Sequence, residues 1–209
     1  MNQSRHTKSD GFIVASQWLS ELFGTPVSVA HIEQTLTQPA QQTLGWLAEQ
    51  LDVAAEMHTI LSILQQDHPN VLAVHLQRRY TTLFEGIFRN RAVLPYESAW
   101  SGKDTAIPEM HALLRALEMH VSEDCCEPAD HLAIELAALA YALHAEHYPI
   151  AIQLLNRLQN WTPGFAQALQ QQDKDGFYAA AADILVALLN KASNALAAYV
   201  PNQYEGEFA

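Results

Sequence analysis

Apolar residues recur at three- and four-residue intervals along almost the whole chain, and nowhere do they alternate singly over the length of a strand. A chain patterned this way must bury a stripe on each of many helices, so an all-α bundle is expected. Phe12, Trp18, Leu19, Leu22 and Phe23 follow Asp10, which reads as an N-cap, and Gly24 and Pro26 close that helix. Ser28 opens a short helix that Pro39 breaks, and a third runs over 41–50. Asp52 reads as the cap of a fourth, through Leu61 and Leu64, ended by His68 and Pro69. A fifth spans 71–88, with Leu72, Leu76, Leu83, Phe84 and Ile87 on one side.

Residues 89–107 then carry Pro95 and Gly102 with little periodicity, a long ordered loop of the kind that is usually functional or hinge-like. Pro108, Pro128, Pro149 and Pro163 each read as the first residue of a helix. Asp175 reads as the cap of a final Ala- and Leu-rich helix, and the tail YEGEF is acidic and expected to be mobile. The expected fold is a bundle of about ten helices. A polar break divides it into an N-terminal lobe (1–122), a hinge (123–128) and a C-terminal lobe (129–209), an arrangement capable of domain swapping. No period of 30–45 residues marks a solenoid.

With 23 acidic and 11 basic residues the net charge is −12, which repels phosphate backbones and anionic lipids. Nucleic acid and membrane surfaces are therefore poor partners, and a cationic partner would be steered in. No apolar run approaches the ~20 residues of a membrane span. The polar start MNQSRHTKSDG lacks a signal peptide's apolar core. Cys125 and Cys126 are adjacent and cannot staple distant segments, which fits a reducing, cytoplasmic location.

Ten histidines invite a metal reading, with His131, Glu135, His144 and His147 as ligands of a small helical enzyme. A di-iron bundle, however, needs paired Glu-x-x-His motifs, and the chain contains neither these nor HExxH. GxGxxG, GxxxxGK and GxSxG are also missing, so neither a phosphate cradle nor a nucleophile elbow is written here. Arg78 and Arg79 read as part of a solvated helix face. Enzymatic activity finds no support in these patterns, and no bound metal is expected.

Three stretches exceed what packing requires: Tyr80-Thr-Thr-Leu83-Phe84, Pro95-Tyr96-Glu97-Ser98-Ala-Trp100, and Glu127-Pro128-Ala-Asp130-His131 followed by Glu135. In the third, Pro128 reads as a helix start with Asp130 in the first turn, where a carboxylate meets free N–H groups and the positive dipole end. This is either a well-started helix or a fixed carboxylate–imidazole pair beside an aromatic loop.

Residues 127–136, EPADHLAIEL, resemble the E-P-x-D-H signature of the TorD/DmsD/NarJ family of molybdoenzyme-maturation chaperones. YTTLF and LPYESAW match the same family in order and spacing. DKDGFYAAAADILVALL resembles the closing helix of its trimethylamine N-oxide reductase branch. The similarity spans residues 12–190. It implies a dedicated cytoplasmic chaperone, not an enzyme, acting on the precursor of trimethylamine N-oxide reductase (TorA). The client would be bound through its twin-arginine signal peptide and its catalytic core.

By the same resemblance, the client would be kept competent for insertion of molybdopterin guanine dinucleotide, while the chaperone retains no cofactor of its own. Asp130 and His131 match family positions for signal-peptide recognition. Glu127, Tyr96, Glu97, Trp100, Leu83 and Phe84 are expected beside them, the carboxylates for the peptide's cationic start and the apolar groups for its apolar middle. The resemblance also implies weak GTP binding in some members, and a homodimer formed by swapping. A reductase of the dimethyl sulfoxide or nitrate type is the alternative client.

Overall fold

The computed structural model describes residues 3–85, 92–120 and 126–197, with side chains described from Asp10 onward. Among these residues the regular structure is helical. The helices are α1 (Gln3–Gly24), α2 (Val29–Thr35), α3 (Gln38–Leu51), α4 (Ala54–Leu64), α5 (Pro69–Phe84), α6 (Glu97–Ser101), α7 (Ala106–Ala116), α8 (Leu132–His144), α9 (Tyr148–Gln172) and α10 (Phe177–Leu196). The expected all-α architecture is the one observed. Residues 86–91, 121–125 and the acidic tail lie outside the described residues, and with them the first half of the expected hinge (123–125).

Two helices form the centre. In α10 the alanines 180–182 pack as tightly as Ile184, Leu185, Leu188 and Leu189, because small residues let neighbouring helices come close. Helix α8 is likewise buried on most sides, through Leu132, Leu136, Ala138, Leu139, Ala142 and Leu143. Helix α1 lies most extensively against α8 and also touches α10, whose other neighbours are α9, α4 and α3. One contiguous apolar core runs from Phe12 to Leu196. Its thickest part is an aromatic cluster in which Phe84 meets Phe23, Tyr80, Tyr178 and Phe165, with centroids 4.9–6.2 Å apart.

Several helix limits differ from those expected, each for a local reason. Asp10 lies inside α1 rather than capping it. Asp52 ends α3 in the left-handed conformation (φ 57°), which Asp tolerates better than most residues, instead of starting α4. Pro108 is the third residue of α7, and Pro128 lies four residues before α8. Pro163 sits within α9, which continues past it. An interior proline costs about 3 kcal/mol, but Trp161, Phe165, Ala166 and Leu169 bury the inner face of this segment and offset that cost. Asp173, not Asp175, caps α10: its Oδ2 accepts the N–H groups of Tyr178 and Ala179 at 2.7 and 3.0 Å. Its Oδ1 meets Arg79 Nε at 2.7 Å, so Arg79 is a tertiary tie rather than part of a solvated face.

Candidate functional site

The 92–100 segment and the 126–131 segment form one unit. Tyr96 and His131 pair as an isolated antiparallel bridge. Glu97 N–H donates to Asp130 O at 3.0 Å, and Leu132 N–H donates to Pro95 O at 2.8 Å. The Asp130 carboxylate accepts Ser98 N–H at 2.9 Å, capping α6 from across the chain. Asp130 thus precedes α8 instead of falling in its first turn. The cap of α8 is His131, whose Nδ1 accepts Ala133 N–H at 3.1 Å. That bond places the proton of the neutral ring on Nε2.

Asp130 and His131 are both buried. Burial holds the imidazole below the usual histidine range, against the opposing pull of Glu127 and Asp130. The His131 ring meets the Tyr96 ring edge-on at 5.1 Å. Tyr96 reaches the exposed Glu127 through a 2.6 Å hydrogen bond from its hydroxyl. Desolvation first, and that bond second, push the phenol far above its ordinary value. Glu127 and the half-buried Tyr96 therefore form the solvent-facing edge, while Asp130 and His131 form the frame behind it.

Trp100 completes this side. Its Nε1–H donates to Leu94 O at 2.7 Å, and its ring stands edge-on to Phe165 at 6.2 Å. Gly164 gives it room, since a Cβ there would lie 3.3 Å from the indole. Leu83 and Phe84 are placed differently: both are buried in the core. They connect to the site through Val93 N–H, which donates to Leu83 O at 2.7 Å, and through the Phe84–Phe165–Trp100 ring contacts. Glu97 faces inward and pairs with Arg157.

Arg157 is the residue that sequence reasoning missed. From α9 it holds Glu135 of α8 (2.9 Å), Glu109 of α7 (3.2 Å), Glu97 of α6 and the carbonyl oxygen of Ala106. Glu135 also accepts Trp161 Nε1–H at 3.2 Å. Burial pushes the Glu135 carboxyl up to about 8, against the pull of Arg157 and Trp161, and raises Glu97 as well. A single apolar-flanked arginine has no distinctive sequence signal. The only hint was an arginine at a position of α9 that the periodicity assigns to the buried face. Both oxygens of Glu135 are thus engaged, and among the described residues no group of three or more histidines, cysteines or carboxylates is placed to hold a metal. No described helix is long and apolar enough to cross a membrane.

A helical bundle whose surface loop is clamped onto an E-P-x-D-H turn defines a recognisable class. Residues 33–174 match the family described as nitrate reductase delta subunit, and the chain belongs to that family, which is the TorD/NarJ family of chaperones and not a family of enzymes. Among its relatives, the chaperone protein TorD of Vibrio parahaemolyticus is 29% identical over 189 residues, covering 81% of this chain and 87% of the relative. The chaperone protein TorD of Escherichia coli K12 (strain DH10B) is 30% identical over 198 residues, covering 82% and 89%.

Proposed function

We propose that this chain matures a molybdoenzyme by binding the precursor of trimethylamine N-oxide reductase (TorA) in the cytoplasm, through its twin-arginine signal peptide and its catalytic core. Bound in this way, the apoenzyme stays competent for molybdopterin guanine dinucleotide insertion before export. The observation that carries this reading is the clamp itself. Buried Asp130 fixes the register of residues 95–100, which hold the half-buried Tyr96 beside the exposed Glu127 and the partly exposed Trp100 a few residues on. A carboxylate beside aromatic surface suits a peptide with a cationic start and an apolar middle. Asp130 and His131 act as positioning residues, and Leu83 and Phe84 support Trp100 from beneath.

Calorimetric titration with a synthetic TorA signal peptide tests this. The parent is expected to bind at micromolar affinity, and Asp130→Ala or His131→Ala to weaken binding about tenfold, or about 1.4 kcal/mol. Glu127→Gln is expected to reduce the salt dependence of binding, since exposed charges are screened beyond about 10 Å at 0.1 M ionic strength. Unchanged binding in folded Asp130 and His131 variants would move recognition to the aromatic loop. Absence of binding by the parent would point to another client, of the dimethyl sulfoxide or nitrate reductase type.

Two further features belong to the same reading. Weak guanine-nucleotide binding is testable by GTP titration. A swapped dimer would exchange the 1–122 and 129–209 lobes around 123–128, rebuilding between two chains the α1–α8 packing made within one. A dilution-insensitive monomer would count against it.

A further inference from the structure

Three surface depressions run into one another along the outer side of α1. The first lies between α1, α2 and α3, over Val14, Trp18 and Leu47. The second lies over Leu114, Met119 and Ile134, where the end of α1 meets the start of α8. The third continues along α1 and α8 to Tyr141 and His144. Glu21 lines all three. His31 is common to the first two, and Met119 and Ala137 to the last two.

The furrow exists because α1 and α8 pack closely at their junction. A Cβ on Gly24 would lie 3.2 Å from that of Ala133, and Ser20 Oγ–H donates to Ala133 O at 2.7 Å. Small residues here leave a trough between the larger side chains on either side. It shares no residue with the Tyr96–Glu127 edge. Glu21 is the only carboxylate among its described lining residues, which include neither lysine nor arginine. Among the described residues the Glu21 carboxylate has no ion pair and no hydrogen bond.

We infer that this furrow receives a helical segment of the client's mature domain, one that carries a basic side chain in the middle of an apolar stripe. The inference rests on the reading under Proposed function and assigns the surface for the second of its two contacts. A trough between two packed helices accepts an amphipathic helix through anchors spaced one turn apart. Charge complementarity selects the occupant. An exposed, unpaired carboxylate midway along an apolar trough favours a partner that brings a cation to that point, and the overall charge of −12 steers such a partner in. The order of charge and apolar surface separates the two client segments. A twin-arginine signal peptide carries its cations before its apolar stretch. Glu21 instead has apolar wall on both sides, Trp18 in one direction and Met119 with Ile134 in the other.

The test uses the full chain, the variants Glu21→Lys and Met119→Glu, and two probes. These are apo-trimethylamine N-oxide reductase lacking its signal peptide, and the synthetic signal peptide alone. Glu21 is exposed, so the first variant keeps the fold. Both variants are expected to bind the signal-less apoenzyme about tenfold more weakly while signal-peptide affinity stays at the parental value. Unchanged apoenzyme binding overturns the inference, as does an equal loss for both probes. A change in the chain's own association state without a change in apoenzyme binding also overturns it, since a second copy would then be the occupant. A parent that binds the peptide but not the apoenzyme removes this inference together with the proposed core contact, and leaves the signal-peptide contact standing. A parent that binds neither removes the proposed client and this inference with it.

Discussion

Two interior networks meet at Trp161, and they are built on opposite principles. On one side, Phe165 touches Trp161 at 5.6 Å and passes contact to Phe84, Phe23 and, through Phe84, Tyr178. On the other, the indole N–H of the same tryptophan reaches Glu135 and the Arg157 cluster. The aromatic side is held by area and edge-to-face geometry, which accommodate small shifts. The ionic side is directional. One guanidinium serves three carboxylates and a backbone carbonyl drawn from α6, α7 and α8, and removing it leaves the buried Glu97 and Glu135 without the donor they share. Aromatic packing therefore supplies bulk stability in this protein, while Arg157 fixes where α6 and α7 sit relative to α8 and α9.

This contrast is sharpest at Arg157. Replacing it with alanine is expected to cost about 3–5 kcal/mol, because the buried Glu135 and Glu97 lose the donor they share and are left unsatisfied in the interior. Chemical denaturation measures it, and a loss below about 1 kcal/mol would mean the cluster is no more demanding than a surface pair. Phe84→Leu keeps an apolar group in the aromatic cluster and is expected to cost less, about 1–2 kcal/mol, for lost volume and ring contacts. If the two variants cost the same, the distinction between directional and adaptable contacts fails here.

The networks should also differ in pH response. Glu135 has its folded value raised to about 8, so between the ordinary glutamate value and 8 the folded state holds the extra proton. Its contribution is present below that window and is lost as pH rises through it. His131, held low by burial, acts with the opposite sign: the unfolded chain takes up the proton first, so stability falls as pH drops below the ordinary histidine value. Midpoints of denaturation measured from pH 5 to 8 should therefore decline more shallowly in Glu135→Gln, most visibly above pH 7, where the histidine contribution is flat. Phe84→Leu should leave the shape of the profile unchanged. A parent profile identical to that of Glu135→Gln would refute the buried carboxyl's role.

The smallest effect is expected at the solvent-facing edge. Tyr96→Phe removes one hydroxyl bond to an exposed carboxylate and should cost about 0.5–1 kcal/mol in thermal or chemical unfolding. A much larger loss would show that the edge, like Arg157, holds the frame together.

These contrasts also mark how far the sequence could be read. The apolar periodicity of α5, α8 and α10 was plain, since a helix packed in a core must repeat its buried positions. The E-P-x-D-H turn and the 95–100 stretch were each visible as local exceptions to that pattern. Their pairing was not, because the bond between Asp130 and Ser98 spans 32 residues and has no local signature. Pro163 misled for a related reason: local propensity marks a helix end there, but burial of the flanking residues carries the helix through.

What the sequence determined alone is whatever depends on neighbours one or two helical turns apart, namely the all-helical fold, the core faces and the acidic surface. Only the tertiary structure decided which polar side chains are frame and which are face. Asp130, Glu97 and Glu135 turned inward and Glu127 outward, although all four are acidic residues in or beside the same motifs. A carboxylate is buried only where donors from other segments converge on it. That convergence on Ser98 N–H, Arg157 and Trp161 is a property of the packed helices, not of any stretch of chain.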